Sequence, residues 1–244
     1  MRLKLLFTAL LMLLPVPALA DVTARYSAGE KNELVVMVDD GGNYRAEVTG
    51  AVILIRRDGV SYIAVKNAKG EFVVTRTEAL LEMLSAQLKP FAAQAAAKAD
   101  PKMKFSLLPG NSNETVAGRT GALWRFGPVK PDTAEAERNK DLLEFVMSAD
   151  PLLAPVGRVF HDMFGIIAPV AEIFLGEADL TASGKELLGK GAPLRVGNGL
   201  KLTSVDSADI AASQFELPGA ELEPMEFFEA VGPDAGARAM PKLH

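Results

Sequence analysis

The chain has 244 residues, 49% of them hydrophobic, with 26 basic against 31 acidic side chains, a net charge of −5 and no cysteine. That balance argues against a basic nucleic-acid footprint and against docking on anionic lipid surfaces. Without cysteine there is no disulfide framework and no thiol nucleophile, so a hydrophobic core must hold the molecule together.

The first twenty residues, MRLKLLFTALLMLLPVPALA, have the form of an export signal. Arg2 and Lys4 supply the positive start, Leu5 to Leu14 the apolar run, and Ala18-Leu19-Ala20 the small-residue cleavage pattern. The run is shorter than the roughly twenty residues that a spanning helix needs. Cleavage after Ala20 is expected, giving a periplasmic protein, with secretion as the alternative. The signal holds two of the basic and none of the acidic residues, so the chain from Asp21 carries −7. Residues 21–218 read as one domain and 219–244, rich in Pro, Gly and Ala, as a loosely held tail.

In chain order, ELVVMV (33–38) precedes the turn Asp39-Asp40-Gly41-Gly42-Asn43. YRAEV (44–48) then alternates, with Tyr44, Ala46 and Val48 on one face. AVILIRR (51–57) and VSYIAVK (60–66) flank Asp58-Gly59, a strong hairpin signal, and EFVVT (71–75) closes the meander. Thr75 and Glu78 have the spacing of a capping box, and Leu80, Leu84, Leu88 and Phe91 recur at helical period, predicting a helix to about Lys98 that contains Pro90. MKFSLL (103–108), ETVAGRTG (114–121) and ALWRFG (122–127) read as strands. Asp132 and Glu135 offer a second capping box, opening a charged helix that ends in LLEFVM (142–147). After the apolar segment described next, APLRV (192–196), the Asn198-Gly199 turn, LKLTSV (200–205) and SQFEL (213–217) predict further strands. Runs of strands interrupted by helices predict an α+β fold: a curved antiparallel sheet, or half-open β-barrel, with helices packed on its concave face.

The segment PVGRVFHDMFGIIAPVAEIFLG (155–176) predicts a helix whose apolar residues spread over roughly 200° of the helical wheel, about twice the stripe of a helix resting on a core. Pro169 cannot donate to the carbonyl of Gly165, which makes these two a candidate hinge. The helix is either core or a lid over the mouth of the sheet that touches an acyl chain. In the lid reading Phe160, Met163, Phe164, Ile167, Val170 and Phe174 line an apolar cavity, with Tyr62 and Trp124 on the sheet side.

Signals for catalysis are weak. His161 and His244 are the only histidines; His161 adjoins Asp162 but lies on the polar arc of the helix. GKELLGKG (184–191) approaches a phosphate-binding loop, yet Gly191 stands where a hydroxyl is needed, and it reads as a glycine-rich connection. No serine lies in a G-x-S-x-G elbow, and the acidic pairs lack calcium-loop spacing. Neither an enzyme, a metal nor a cofactor is expected.

Signal, hairpin-rich meander, helical insertions and a Ser213-x-Phe215-x-x-Pro218 close resemble the periplasmic lipoprotein carriers (LolA-like and LolB-like) and related exported bacterial domains. The resemblance implies a half-open barrel with an acyl-chain cavity; it transfers no individual site residue. The expected function is a non-enzymatic carrier or binding protein for a lipid or other apolar ligand, without a transmembrane span. The alternative is an envelope structural or interaction factor with a filled core and a protein partner.

Overall fold

The computed structural model describes residues 21–98, 104–129, 142–175 and 179–232, leaving aside the side chains at 93–98, 174 and 175. The expected signal peptide, the Asp132/Glu135 capping box and the tail from 233 lie outside these residues.

Six strands, β1 (Val22–Ala28), β2 (Asn32–Val38), β3 (Tyr44–Val48), β4 (Val52–Arg57), β5 (Val60–Lys66) and β6 (Phe72–Arg76), form a meander that leads into helix α1 (Thr77–Lys98). Strands β7 (Lys104–Val116), β8 (Arg119–Val129) and β9 (Leu143–Ser148) follow, then helices α2 (Ala154–Leu175) and α3 (Leu180–Leu188). Strands β10 (Ala192–Val196) and β11 (Leu200–Asp206) and a short helix α4 (Pro224–Val231) complete the order. All strands join one curved, unclosed antiparallel sheet, β6-β5-β4-β3-β2-β1-β11-β10-β9-β8-β7. The strand β11 therefore joins the two meanders through β1.

Alternation builds the main core. Val22, Ala24 and Tyr26 on β1, Val36 on β2, Leu194 on β10 and Leu202 on β11 are essentially inaccessible and pack against Leu153, Val156 and Val159. Each such aliphatic burial stabilises the fold by about 1.5–3 kcal/mol. Helix α2 approaches closely because Gly157 has no side chain: a Cβ there would lie 3.2 Å from the Ala192 nitrogen. This is the predicted apolar helix, and its first turns are core.

The opposite face of the meander has a second core. Ile53, Ile55, Ala64 and Val74 alternate out of phase with the first set and are fully buried. The C-terminal segment covers them: Leu217 packs on this cluster, and a 3-10 turn at Ala212–Phe215 lies against β3 and β4 with Phe215 buried. Farther on, Val74 donates to the Ala220 carbonyl and accepts from the Leu222 N–H, so residues 220–222 cap the β6 edge, which an unpaired strand would expose to aggregation. Of the segment expected to be a tail, residues 219–232 thus follow β6 and form α4, whose Phe227 is buried.

Several local expectations are corrected. Within the segment 142–147, expected to be helix, Leu143 onward is strand (Leu143–Ser148); Val146 and Met147 are adjacent and both buried, and a strand covered on both faces loses the alternation that marks a strand in sequence. Residues 114–121 are not one strand, because Ala117 and Gly118 (φ 50° and 74°) form the β7–β8 hairpin turn. Residues 213–217 contain the 3-10 turn instead of a strand. The Thr75/Glu78 box does not form: Thr75 belongs to β6, its hydroxyl has no partner among the described residues, and α1 starts at Thr77. Gly184, expected in a connection, lies inside α3, where the Phe164 ring occupies the space a Cβ would need. β1 itself, VTARYSA, is an addition to the predicted strands.

Candidate functional site

Strand register resolves the helix-covered face of the meander into three cross-strand rows. The first runs Tyr26, Leu34, Val48, Val52, Val65, Val73; the second runs Ala24, Val36, Ala46, Leu54, Ile63, Thr75. Both are almost wholly apolar. The third, at the sheet's end, turns polar: Val22, Val38, Tyr44, Arg56, Ser61.

Burial changes along these rows. On β1 and β2 the side chains are sealed beneath α2, whereas Val48, Val52, Leu54, Ile63, Val65 and Val73 on β3–β6 are half-buried. Helix α1 approaches β5, β6 and α2 over that half of the sheet. These six side chains form an apolar floor that keeps partial exposure.

Helix α2 contributes as follows. Phe160 and Met163 pack on the main core, with the Phe160 ring edge-on to Tyr26 at 5.4 Å. Burial pushes the Tyr26 phenol above its usual range, so it stays protonated. Phe164 leaves that group and joins a second cluster with Phe126, Met147, Trp124 and Leu187. Trp124 is half-buried there beneath the Lys190 ammonium, 4.7 Å from its ring centroid. Val170 is half-buried, Ile167 is 59% exposed, and the Phe174 side chain lies outside the described residues. Gly165 and Pro169 are both on the exposed side of a helix that continues through them. Tyr62 is corrected: it pairs with Ile55 and sits on the opposite face, in the cluster covered by Leu217, so it is no part of the helix-covered floor. Phe160 and Met163 are therefore brought together near the floor; Phe164 and Trp124 form a separate group.

The residues of the polar row were not singled out from sequence. A cleft of about 750 Å³ opens there, lined by Tyr44, Arg56, Asp58, Arg158, His161 and Asp162 and by the Gly41–Asn43 turn. Arg56 Nη1 donates to Asp162 Oδ2 at 2.7 Å, tying the sheet's end to α2. His161 Nδ1 lies 4.0 Å from Asp162 Oδ1 and its ring is nearly half exposed, so Asp162 serves the arginine rather than a His–Asp dyad. Burial, and then the Asp162 carboxylate, push the Tyr44 phenol above its usual range, against Ser61 and Arg56, which pull it down. A second cleft of about 530 Å³ shares Gly59 with the first and is lined by Ser61, Arg76, Thr77, Glu78, Glu82 and Ile166. One signal could have exposed the polar row: in VILIRR, Arg56 keeps the phase of Val52 and Leu54, an arginine at the end of an apolar face.

Among the described residues no group of three or more His, Asp or Glu side chains converges as a metal site, and no helix is long and apolar enough to cross a membrane. Compared with known proteins, the chain matches no protein-family model and no curated protein sequence. The geometry therefore carries the functional argument.

Proposed function

We propose that the protein is a non-enzymatic carrier or binding protein for a lipid or other apolar ligand, acting in the periplasm after export, with a fold akin to the LolA-like carriers. One observation carries this reading: in the two apolar rows Val48, Val52, Leu54, Ile63, Val65 and Val73 stay half-buried, while Ala46 and Thr75 between them are buried, in a sheet that does not close. A core that only needed filling would seal these side chains as it seals β1 and β2. Apolar ligands favour concave surfaces of this kind, with few polar groups around the opening.

A large side chain on the floor tests it. Ile63→Trp adds bulk in the middle of the second row. If the space is for a ligand, the variant folds with wild-type stability and no longer takes up a fluorescent fatty acid. If the interior is filled, overpacking costs about 1–3 kcal/mol. Destabilisation of that size in a protein that binds no fatty acid would overturn the proposal.

The second reading, an envelope interaction factor, rests on the exposure of Phe91, Ile167, Met225 and Phe228. Wild-type stability and lost fatty-acid uptake in Ile63→Trp would count against it.

A further inference from the structure

The polar end of the floor carries information about what sort of amphiphile fits. The third row places Tyr44, Arg56 and Ser61 side by side, one register step beyond Ala46, Leu54 and Ile63. An acyl chain lying across the apolar rows, parallel to the strands, would thus end at the cleft between this row and the first turns of α2. Arg158, His161 and Asp162 face the same cleft from the helix. We propose that this cleft is the headgroup subsite for an anionic amphiphile, a carboxylate or phosphate oxyanion borne on the acyl chain, with Arg56 and Arg158 as its cationic ligands and the Tyr44 hydroxyl as a neutral donor. The proposal rests on the carrier reading and gives its ligand a charge.

Three observations support the sign of that charge. A guanidinium has five N–H donors, and among the described residues the Asp162 contact engages only Nη1 of Arg56, leaving Nε and Nη2 for a bidentate oxyanion. Of the two carboxylates in the lining, Asp58 is largely exposed and pairs with Arg57 at 3.4 Å, so among the described residues Asp162 is the lining carboxylate that engages a cleft arginine, Arg56. The neighbouring cleft is different: its Arg76 is held by Glu221 at 2.7 Å, and Glu78 and Glu82 line it, which disfavours an anion there. A headgroup anion would therefore share Arg56 with Asp162, whose negative charge opposes its binding.

The test is isothermal titration calorimetry on the full chain after delipidation, comparing dodecyl phosphate, dodecanoate, dodecanol and inorganic phosphate. Both anionic chains should bind at least about tenfold tighter than dodecanol, as one charge-assisted hydrogen bond allows. Inorganic phosphate should bind far more weakly than dodecyl phosphate. Arg56→Gln and Arg158→Gln should each bring the anions toward the affinity of the alcohol. Asp162→Asn should tighten the anions, a gain that misfolding cannot produce. Equal affinity for anions and alcohol, or a preference that survives the Arg56→Gln/Arg158→Gln double variant, overturns the headgroup site and leaves the carrier reading standing. Inorganic phosphate binding as tightly as dodecyl phosphate overturns it in favour of a free-anion site. Uptake of none of the chain-bearing probes overturns both.

Discussion

Asp150 holds the entrance to helix α2 by two contacts. Its carboxylate accepts the Leu152 N–H at 3.0 Å, capping the 3-10 turn Pro151–Leu153, and pairs with the Arg119 guanidinium at the β7–β8 hairpin. The backbone N–H is the larger influence and Arg119 the smaller, and together they hold the Asp150 carboxyl below its usual range. A depressed folded-state pKa contributes stability above the unfolded value and loses it as pH falls through the folded one. Asp150→Ala should cost about 1 kcal/mol at neutral pH, the usual worth of a cap. The gap from wild type should narrow below about pH 4, where the unfolded carboxylate begins to protonate; urea melts at two pH values measure both. A gap independent of pH would assign the loss to packing instead. Gly184 makes a second prediction at this scale. A Cβ there meets the Phe164 ring, so Gly184→Ala should destabilise by about 1–3 kcal/mol through forced repacking of the Phe126–Trp124 cluster. An unchanged thermal midpoint would mean that Phe164 moves freely, which its place in that cluster contradicts.

At the scale of elements, helix α2 has two characters. Its first turns are sealed at Val156 and Val159, while farther along Ile167 stands out in solvent. Ile167→Asp is therefore expected to leave stability within about 0.5 kcal/mol of wild type and to leave fatty-acid uptake intact. Lost uptake with unchanged stability would show that this face turns inward in the loaded protein. The sequence pattern placed α2 well, because a wide apolar arc with a 3.6-residue period has few alternatives, but it could not say which part of the arc is core. Strands β2 to β6 were legible for a similar reason: one-residue alternation and Asp58-Gly59 leave little choice of register. β9 was not legible, since burial on both faces erases alternation. The phase of Arg56 with Val52 and Leu54 hinted at a polar end to that face, but its neighbours Tyr44 and Ser61 come beside it only through the register of β3 and β5. The capping box failed for a further reason: β6 continues through Thr75, and pairing with Ile63 takes the backbone that the cap would need.

For the whole molecule, the division between the two sheet faces is the central feature. The back face is finished by residues 212–222, with Phe215 and Leu217 covering the meander and the 220–222 backbone capping β6. Phe215→Ala should cost about 3 kcal/mol or more, the range for a buried phenylalanine, yet leave ligand affinity unchanged below the melting transition. Loss of affinity in the folded variant would couple two faces that the structure keeps separate. On the helix-covered face Val48, Val52, Leu54, Ile63, Val65 and Val73 keep partial exposure among the described residues, and the claim that a lipid occupies it can be tested directly. Native mass spectrometry of the chain, purified from its producing cell without detergent and then extracted with solvent, should show an added mass released as an acyl lipid. A bare-protein mass that stays unchanged after incubation with excess dodecanoate would contradict the account.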